Sequence, residues 1–286
     1  MLDDNAWIAA AMATRLLLTN PPTWKKPMSA HGSISPPNLH KGDGSSPPPG
    51  SSAPVPNPKH VVIVGASGMV GGYALRYALA DPAVGHVTSI GRKTLGISRA
   101  KLTEVVHEDF ADCSALAGTL ANQDAAVFCL GAYTGTVSDT ALRRITVDYT
   151  VEFARVLSES SPHAQFSFLS GNGADPTERS RIPFARYKGA AENALAGAGF
   201  PHVYFFRPAY IYPVEPRKEP NLGYRLLRAV YPVFRLLFPN QVIRADDLGR
   251  AMVDVVTHGA EPRGKSVFEN RDIRAMTKSF HTTAAR

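Results

Sequence analysis

Residues 65–72 read GASGMVGG, and Gly65, Gly68 and Gly71 recur at three-residue spacing directly after the apolar run HVVIV. The chemistry such a spacing can do is anion binding by the main chain. The first glycine allows a tight turn, the second lets backbone amides approach a pyrophosphate, and the third lets a following helix pack against the strand. The helix N-terminus adds unpaired N–H groups and a positive dipole end, worth about 0.3–2 kcal/mol toward an anion. Ser67 supplies a hydroxyl donor, and Met69 and Val70 supply first-turn amides. Three glycines alone are weak evidence, because tight turns recur everywhere. A strand before them and a helix after them is the context that makes a dinucleotide site.

A second clue lies where the next apolar run ends, in SIGRK. A site that prefers NAD places an acid there to hold the ribose 2′-hydroxyl, whereas this chain has Gly91 followed by Arg92 and Lys93. A guanidinium grips a 2′-phosphate with about 1.5–3 kcal/mol for a charge-assisted bond. NADP(H) is therefore expected over NAD(H); the alternative is that Arg92 is a solvated loop charge worth little. Other chemistries fall away. There is no G-x-S-x-G nucleophile elbow and no phosphate loop ending in Gly-Lys-Ser/Thr. The nine histidines lack metal-ligand spacing, and Cys113 and Cys129 form no CxxC pair, so no metal is expected.

Elements must hold these residues in place. From residue 60 onward, short β-branched runs alternate with helical stretches, which predicts a parallel sheet covered on both faces. Strands are expected at 60–64, 86–90, 103–107, 125–130, 165–170 and 202–206, with helices at Met69–Ala80, about Asp139–Ser160 and Phe184–Ala198. This is an α/β doubly wound Rossmann layout, mostly parallel, whose ligands bind beyond the carboxyl ends of the strands. Residues 209–286 add two helical patterns and the short strand KSVFEN, expected as a small substrate-side lobe of the same 60–286 domain. YRLLRAVYPVFRLLF (224–238) has two readings: a helix pair over the pocket, interrupted at Pro232, or a contact with an anionic membrane.

Composition bounds the rest. Eleven of the 23 prolines fall within residues 1–59, and residues 30–58 are Pro, Ser and Gly at nearly every step, which predicts a disordered leader and linker. The formal charge of +7 is carried without a dense basic block, so nucleic acid is not an expected partner and phosphate-bearing small molecules are. No run of 18 apolar residues occurs. Two unpaired cysteines and the absence of Asn-x-Ser/Thr point to a reducing compartment, read as cytoplasmic. Residues 5–42 lack acids and carry Arg15, Lys25 and Lys26, which leaves two readings, an organelle-targeting peptide or an unstructured leader.

GASGMVGG, SIGRK, HEDF (107–110), VFCLG, ITVDYTVEFA, FLSGNGADP, KGAAENAL, FFRPAYIY and ENRDIRAM together resemble the atypical short-chain dehydrogenase/reductases, in the branch of Tat-interacting-protein-30-like NAD(P)H-binding proteins. The likeness spans about residues 60–274. It implies that Asp109 and Phe110 face the adenine, that Leu130 and Gly131 line the cofactor beyond the fourth strand, and that Lys188 bonds the nicotinamide ribose with Pro208 beside the nicotinamide. It also implies a catalytic serine after the fifth strand and a tyrosine four residues before the lysine, positions that share one helix face. Here Phe184 stands at the tyrosine position, and the serine pair reads Ser170, Gly171, with glycine at the usual catalytic member. No lysine of the ten has a tyrosine four residues before it. Lys188, Ser170 and Tyr187 are the remaining candidates for catalysis, with Tyr133 and Asn172 as further polar groups; Tyr187 lies about 100° round the helix from Lys188. Two functions follow. One is an NADP(H)-dependent oxidoreductase with altered catalytic residues acting on a small carbonyl-type substrate; the other is a catalytically silent NADP(H) sensor or scaffold with a protein partner.

Overall fold

The computed structural model describes residues 57–132, 137–215, 239–259 and 264–283. Of the leader expected at 1–59, residues 1–56 lie outside the described residues, as do Tyr133 and the two readings of 224–238, while Lys59 already belongs to the first strand.

Strand β1 (Lys59–Val64) begins the chain's central sheet because VVIV is apolar at every position, as a strand covered on both faces must be. Val61 and Ile63 point into one core with helix α1 (Met69–Ala80), while Val62 and Val64 point into the other, among Phe128, Phe153 and Phe166. The two-residue period of a strand thus feeds two cores from one segment. Strands β2 (Val84–Gly91) and β3 (Leu102–Val106) extend the sheet on one side of β1. A 3₁₀ turn at Ser114–Leu116 then leads into the short helix α2 (Ala117–Leu120).

On the other side of β1 come β4 (Ala125–Phe128), β5 (Gln165–Leu169) and β6 (Val203–Arg207). Between β4 and β5 the expected single helix is three pieces: α3 (Asp139–Arg143), a π turn at Arg144–Asp148, and α4 (Tyr149–Ser160). Helix α5 (Pro183–Ala196) joins β5 to β6 and starts with proline at its first turn, where the missing N–H is harmless.

The C-terminal residues are woven into the same body. Strand β7 (Tyr210–Tyr212) pairs in parallel with β8 (Val242–Arg244) as a separate two-stranded sheet. Helix α6 (Ala245–Thr257) packs on α1, strand β9 (Val267–Glu269) joins the main sheet beside β6, and α7 (Asn270–Thr283) follows. The main sheet has seven parallel strands in the order β3-β2-β1-β4-β5-β6-β9. The order reverses between β1 and β4, which opens the crevice where such folds hold ligands.

Candidate functional site

Four segments meet at the carboxyl edge of the sheet: the turns after β1, β2, β4 and β5. The glycine turn is the tightest. Gly65 has φ +85°, and a Cβ on it would meet Cys129 C at 3.0 Å. A Cβ on Gly71 would stand 2.3 Å from Gly65 O, so helix and turn touch through backbone alone. Gly68 is the N-cap of α1 and no side chain caps that end. Its own amide turns back to Gly65 O at 2.9 Å. Ser67 and Gly68 are exposed, Met69 is partly exposed and Val70 is buried. Bare first-turn donors, no competing side-chain cap and glycine at the turn's closest backbone approaches fit a pyrophosphate.

Arg92 and Lys93 are both exposed at the end of β2, one strand away from that turn. The loop that follows them is pinned by Glu104 on β3, which accepts from the Thr94 hydroxyl at 2.5 Å and from the amides of Leu95 at 2.6 Å and Ile97 at 3.2 Å. Asp109 is exposed and accepts from the Ala111 amide at 3.0 Å. Phe110 is buried at 1% exposure with its ring edge-on to His107, so its side chain is enclosed in the core rather than presented to a ligand. Leu130 and Gly131 follow β4, partly exposed and exposed respectively. Pro208 is buried after β6, and its carbonyl accepts from the Asn172 amide at 2.9 Å, which ties the β5 and β6 turns together.

Around α5 the polar groups turn inward. Lys188 is 7% exposed, donates to Leu169 O at 2.6 Å and lies 4.6 Å from the Phe168 ring centroid. Burial lowers its pKa to about 8, opposed by the Glu192 carboxylate. Ser170 donates its hydroxyl to Glu192 at 2.5 Å, and Glu192 is also forked by Arg207 of β6. Tyr187 lies elsewhere: its hydroxyl donates to Asp139 at the start of α3 at 2.7 Å. Ser170 and Lys188 are thus brought together over Glu192, and Tyr187 is not. Phe184 rests on Gly171, where an added Cβ would stand 2.4 Å from ring atom Cζ. The Glu192–Arg207 pair escaped the sequence reading, although Glu192 follows Lys188 by four residues and so shares its helix face.

No family model matches the chain. It is 27% identical over 165 residues to "Protein fmp52-1, mitochondrial" of Aspergillus terreus, covering 56% of this chain and 70% of that one. To "Protein HTATIP2" of Rattus norvegicus it is 28% identical over 175 residues, 60% of this chain and 70% of the other. Among solved structures it resembles the Bordetella bronchiseptica enzyme WbmH in complex with NAD+, with TM-score 0.53, 17% identity, and 80% and 82% of the two chains covered. A Burkholderia thailandensis oxidoreductase of the short-chain dehydrogenase/reductase family matches with TM-score 0.50, 18% identity, and 70% and 86% covered. The chain is thus similar in sequence to HTATIP2 and Fmp52 and shares its fold with these solved structures.

One expectation is corrected. The Fmp52 relatives of Aspergillus terreus, Aspergillus clavatus and Chaetomium globosum are named mitochondrial, which overturns the cytoplasmic reading. Cysteine usage and absent glycosylation acceptors separate reducing from oxidising surroundings, and they carry no information that divides one reducing compartment from another. Among the described residues, no helix is long and apolar enough to cross a membrane.

Proposed function

We propose that the protein binds NADP(H) in the crevice between β1 and β4 and serves as a dinucleotide-responsive protein rather than an efficient carbonyl reductase. Gly65, Ser67, Gly68, Met69 and Val70 would hold the pyrophosphate, Arg92 and Lys93 the 2′-phosphate, and Asp109 with the Phe110 main chain the adenine. Leu130 and Gly131 would line the middle of the cofactor. Lys188 would bond the nicotinamide ribose, with Pro208 beside the nicotinamide. Bound there, the nicotinamide would supply a hydride. At the two positions where the resembled family has the tyrosine and serine that handle the accompanying proton, this chain has Phe184 and Gly171.

The observation that carries this reading is the fit of Phe184 into the space above Gly171. A ring without a hydroxyl occupies the volume that a serine side chain at 171 would need. Among the described residues, the other candidate hydroxyls are engaged by carboxylates, Ser170 by Glu192 and Tyr187 by Asp139. A general acid is worth about 10²–10⁴ in rate and an oxyanion donor about 10²–10³, so losing both removes most of an ordinary reductase's turnover. A second reading, an oxidoreductase that works without a side-chain hydroxyl, draws on Lys188: it is kept at the site, buried, and with a pKa of about 8 it can exchange a proton near neutral pH.

The test pairs binding with turnover. Calorimetry with NADPH is expected to show binding, while NADPH oxidation stays at background against aldehydes, ketones and quinones. Phe184→Tyr, alone and with Gly171→Ser, is expected to raise that rate, since the half-buried ring can swing to admit the serine. Substantial turnover by the unaltered chain would reject the sensor reading, and its loss in Lys188→Met would support the second one. The names of the Fmp52 relatives support a mitochondrial location, which cell fractionation checks.

A further inference from the structure

Helix α1 starts at the glycine turn and runs about 18 Å to the opposite edge of the sheet. It ends there with Asp81 as its C-cap, and α6 ends at the same place with His258 as its C-cap. Two helix C-termini bring together the negative ends of two dipoles, a setting that favours a cation. Asp81, Asp254 and His258 meet in it, each offering a ligand atom, all within 4.8 Å of one another. His258 Nε2 lies 2.9 Å from Asp81 Oδ2.

The outer bonds aim these groups. Asp81 Oδ1 accepts from the Ala83 amide at 2.9 Å, and Asp254 Oδ1 accepts from the Tyr77 hydroxyl at 2.6 Å. One oxygen of each carboxylate is fixed by these bonds and the other is not, the arrangement by which second partners orient metal ligands. Asp254 Oδ2 is buried, accepts no hydrogen bond, and belongs to a residue only 2% exposed. Arg250 Nε stands 3.6 Å from it, close enough for an ion pair and too far for a hydrogen bond. Lys59 and Lys101 also reach this edge, but they donate to the backbone oxygens of Val256, Asp81 and Val84. Two buried carboxylates side by side are stable only when paired or when they coordinate a cation. Burial already raises the pKa of Asp254.

We propose that Asp81, Asp254 and His258 form a binding site for a divalent cation of the zinc class, which ties the end of α1 to the end of α6. The donor set, two carboxylate oxygens and one imidazole nitrogen, suits zinc with three protein ligands and one position open to water on the exposed side of His258. Bonds of about 2.0–2.2 Å place tetrahedral ligand atoms about 3.3–3.6 Å apart, so a bound ion draws the Asp254 carboxylate slightly inward. Arg250 is the competing charge.

The full chain is titrated with Co²⁺, which reports tetrahedral coordination in its visible spectrum, and then with Zn²⁺ as competitor, at near-neutral pH. One equivalent is expected to bind and to raise the melting temperature. Asp254→Asn and His258→Gln are each expected to weaken binding about ten-fold or more and to abolish the metal-dependent rise, and Arg250→Gln to tighten it. Circular dichroism verifies that each variant is folded; His258 is half exposed, so His258→Gln carries the test should Asp254→Asn fail to fold. No binding, or binding unchanged in both ligand variants, overturns the site. A melting temperature that follows pH but not metal assigns the cluster to a proton and overturns it equally.

Discussion

Lys188 concentrates the physics of the site in one side chain. Desolvation lowers its pKa to about 8 from 10.5, with Glu192 holding it from falling further. Below about 8 the lysine is charged in both the folded and the unfolded chain, and the fold bears the full penalty of a buried charge. Between about 8 and 10.5 the unfolded chain binds more protons than the folded one, so stability rises with pH. The melting temperature of the unaltered protein is expected to climb relative to Lys188→Met across that window; a constant difference between the two would reject the assignment. The neighbouring contact makes a separate prediction. Gly171→Ser is expected to destabilise by about 1–3 kcal/mol, because the ring of Phe184 must move. With Phe184→Ala already present the same change is expected to be milder, and a urea-unfolding cycle should give a coupling of about 0.5–3 kcal/mol. Phe184 and Gly171 could each be read as departures from a family pattern, but that they fit one another could not, because packing between a helix and a strand end is invisible to spacing.

Between elements, closeness decides what the sequence can announce. Gly71 declares itself through its place in a motif, and the strands β1 to β6 through runs of apolar residues long enough to cross a sheet. Gly249 declares nothing, yet its Cβ would stand 2.8 Å from Ala74 N and 2.9 Å from Val70 O where α6 lies against α1. Gly249→Ala is therefore expected to destabilise by about 1–3 kcal/mol in urea unfolding without changing cofactor affinity. An effect under about 0.5 kcal/mol would show that the helices can part at no cost. The three-residue strands β7 and β8 were equally hidden, since pairing between segments some thirty residues apart has no local signal. The π turn at Arg144–Asp148 was hidden for a different reason: one wider turn leaves the apolar period on either side of it intact.

For the molecule as a whole, a cofactor that binds only the folded state links every element around the crevice. NADPH at a hundred times its Kd is expected to stabilise the protein by about 2.7 kcal/mol, read as a rise in melting temperature. On the proposed reading, the end of β2 sets how that stabilisation divides between NADPH and NADH. Arg92 and Lys93 are exposed there, and the loop beyond them is held by three bonds to Glu104, so the backbone that presents them is fixed even though their side chains are not enclosed. Only the 2′-phosphate distinguishes the two nucleotides. Removing one charge-assisted bond to it costs about 1.5–3 kcal/mol, which is roughly ten- to a hundred-fold in affinity. Arg92→Ala is expected to lose that factor for NADPH by calorimetry while its affinity for NADH holds, and added salt should weaken NADPH more than NADH because the pair is solvated. Equal losses for both nucleotides would move Arg92 from the 2′-phosphate to the shared pyrophosphate, and no loss for either would leave it a solvated charge.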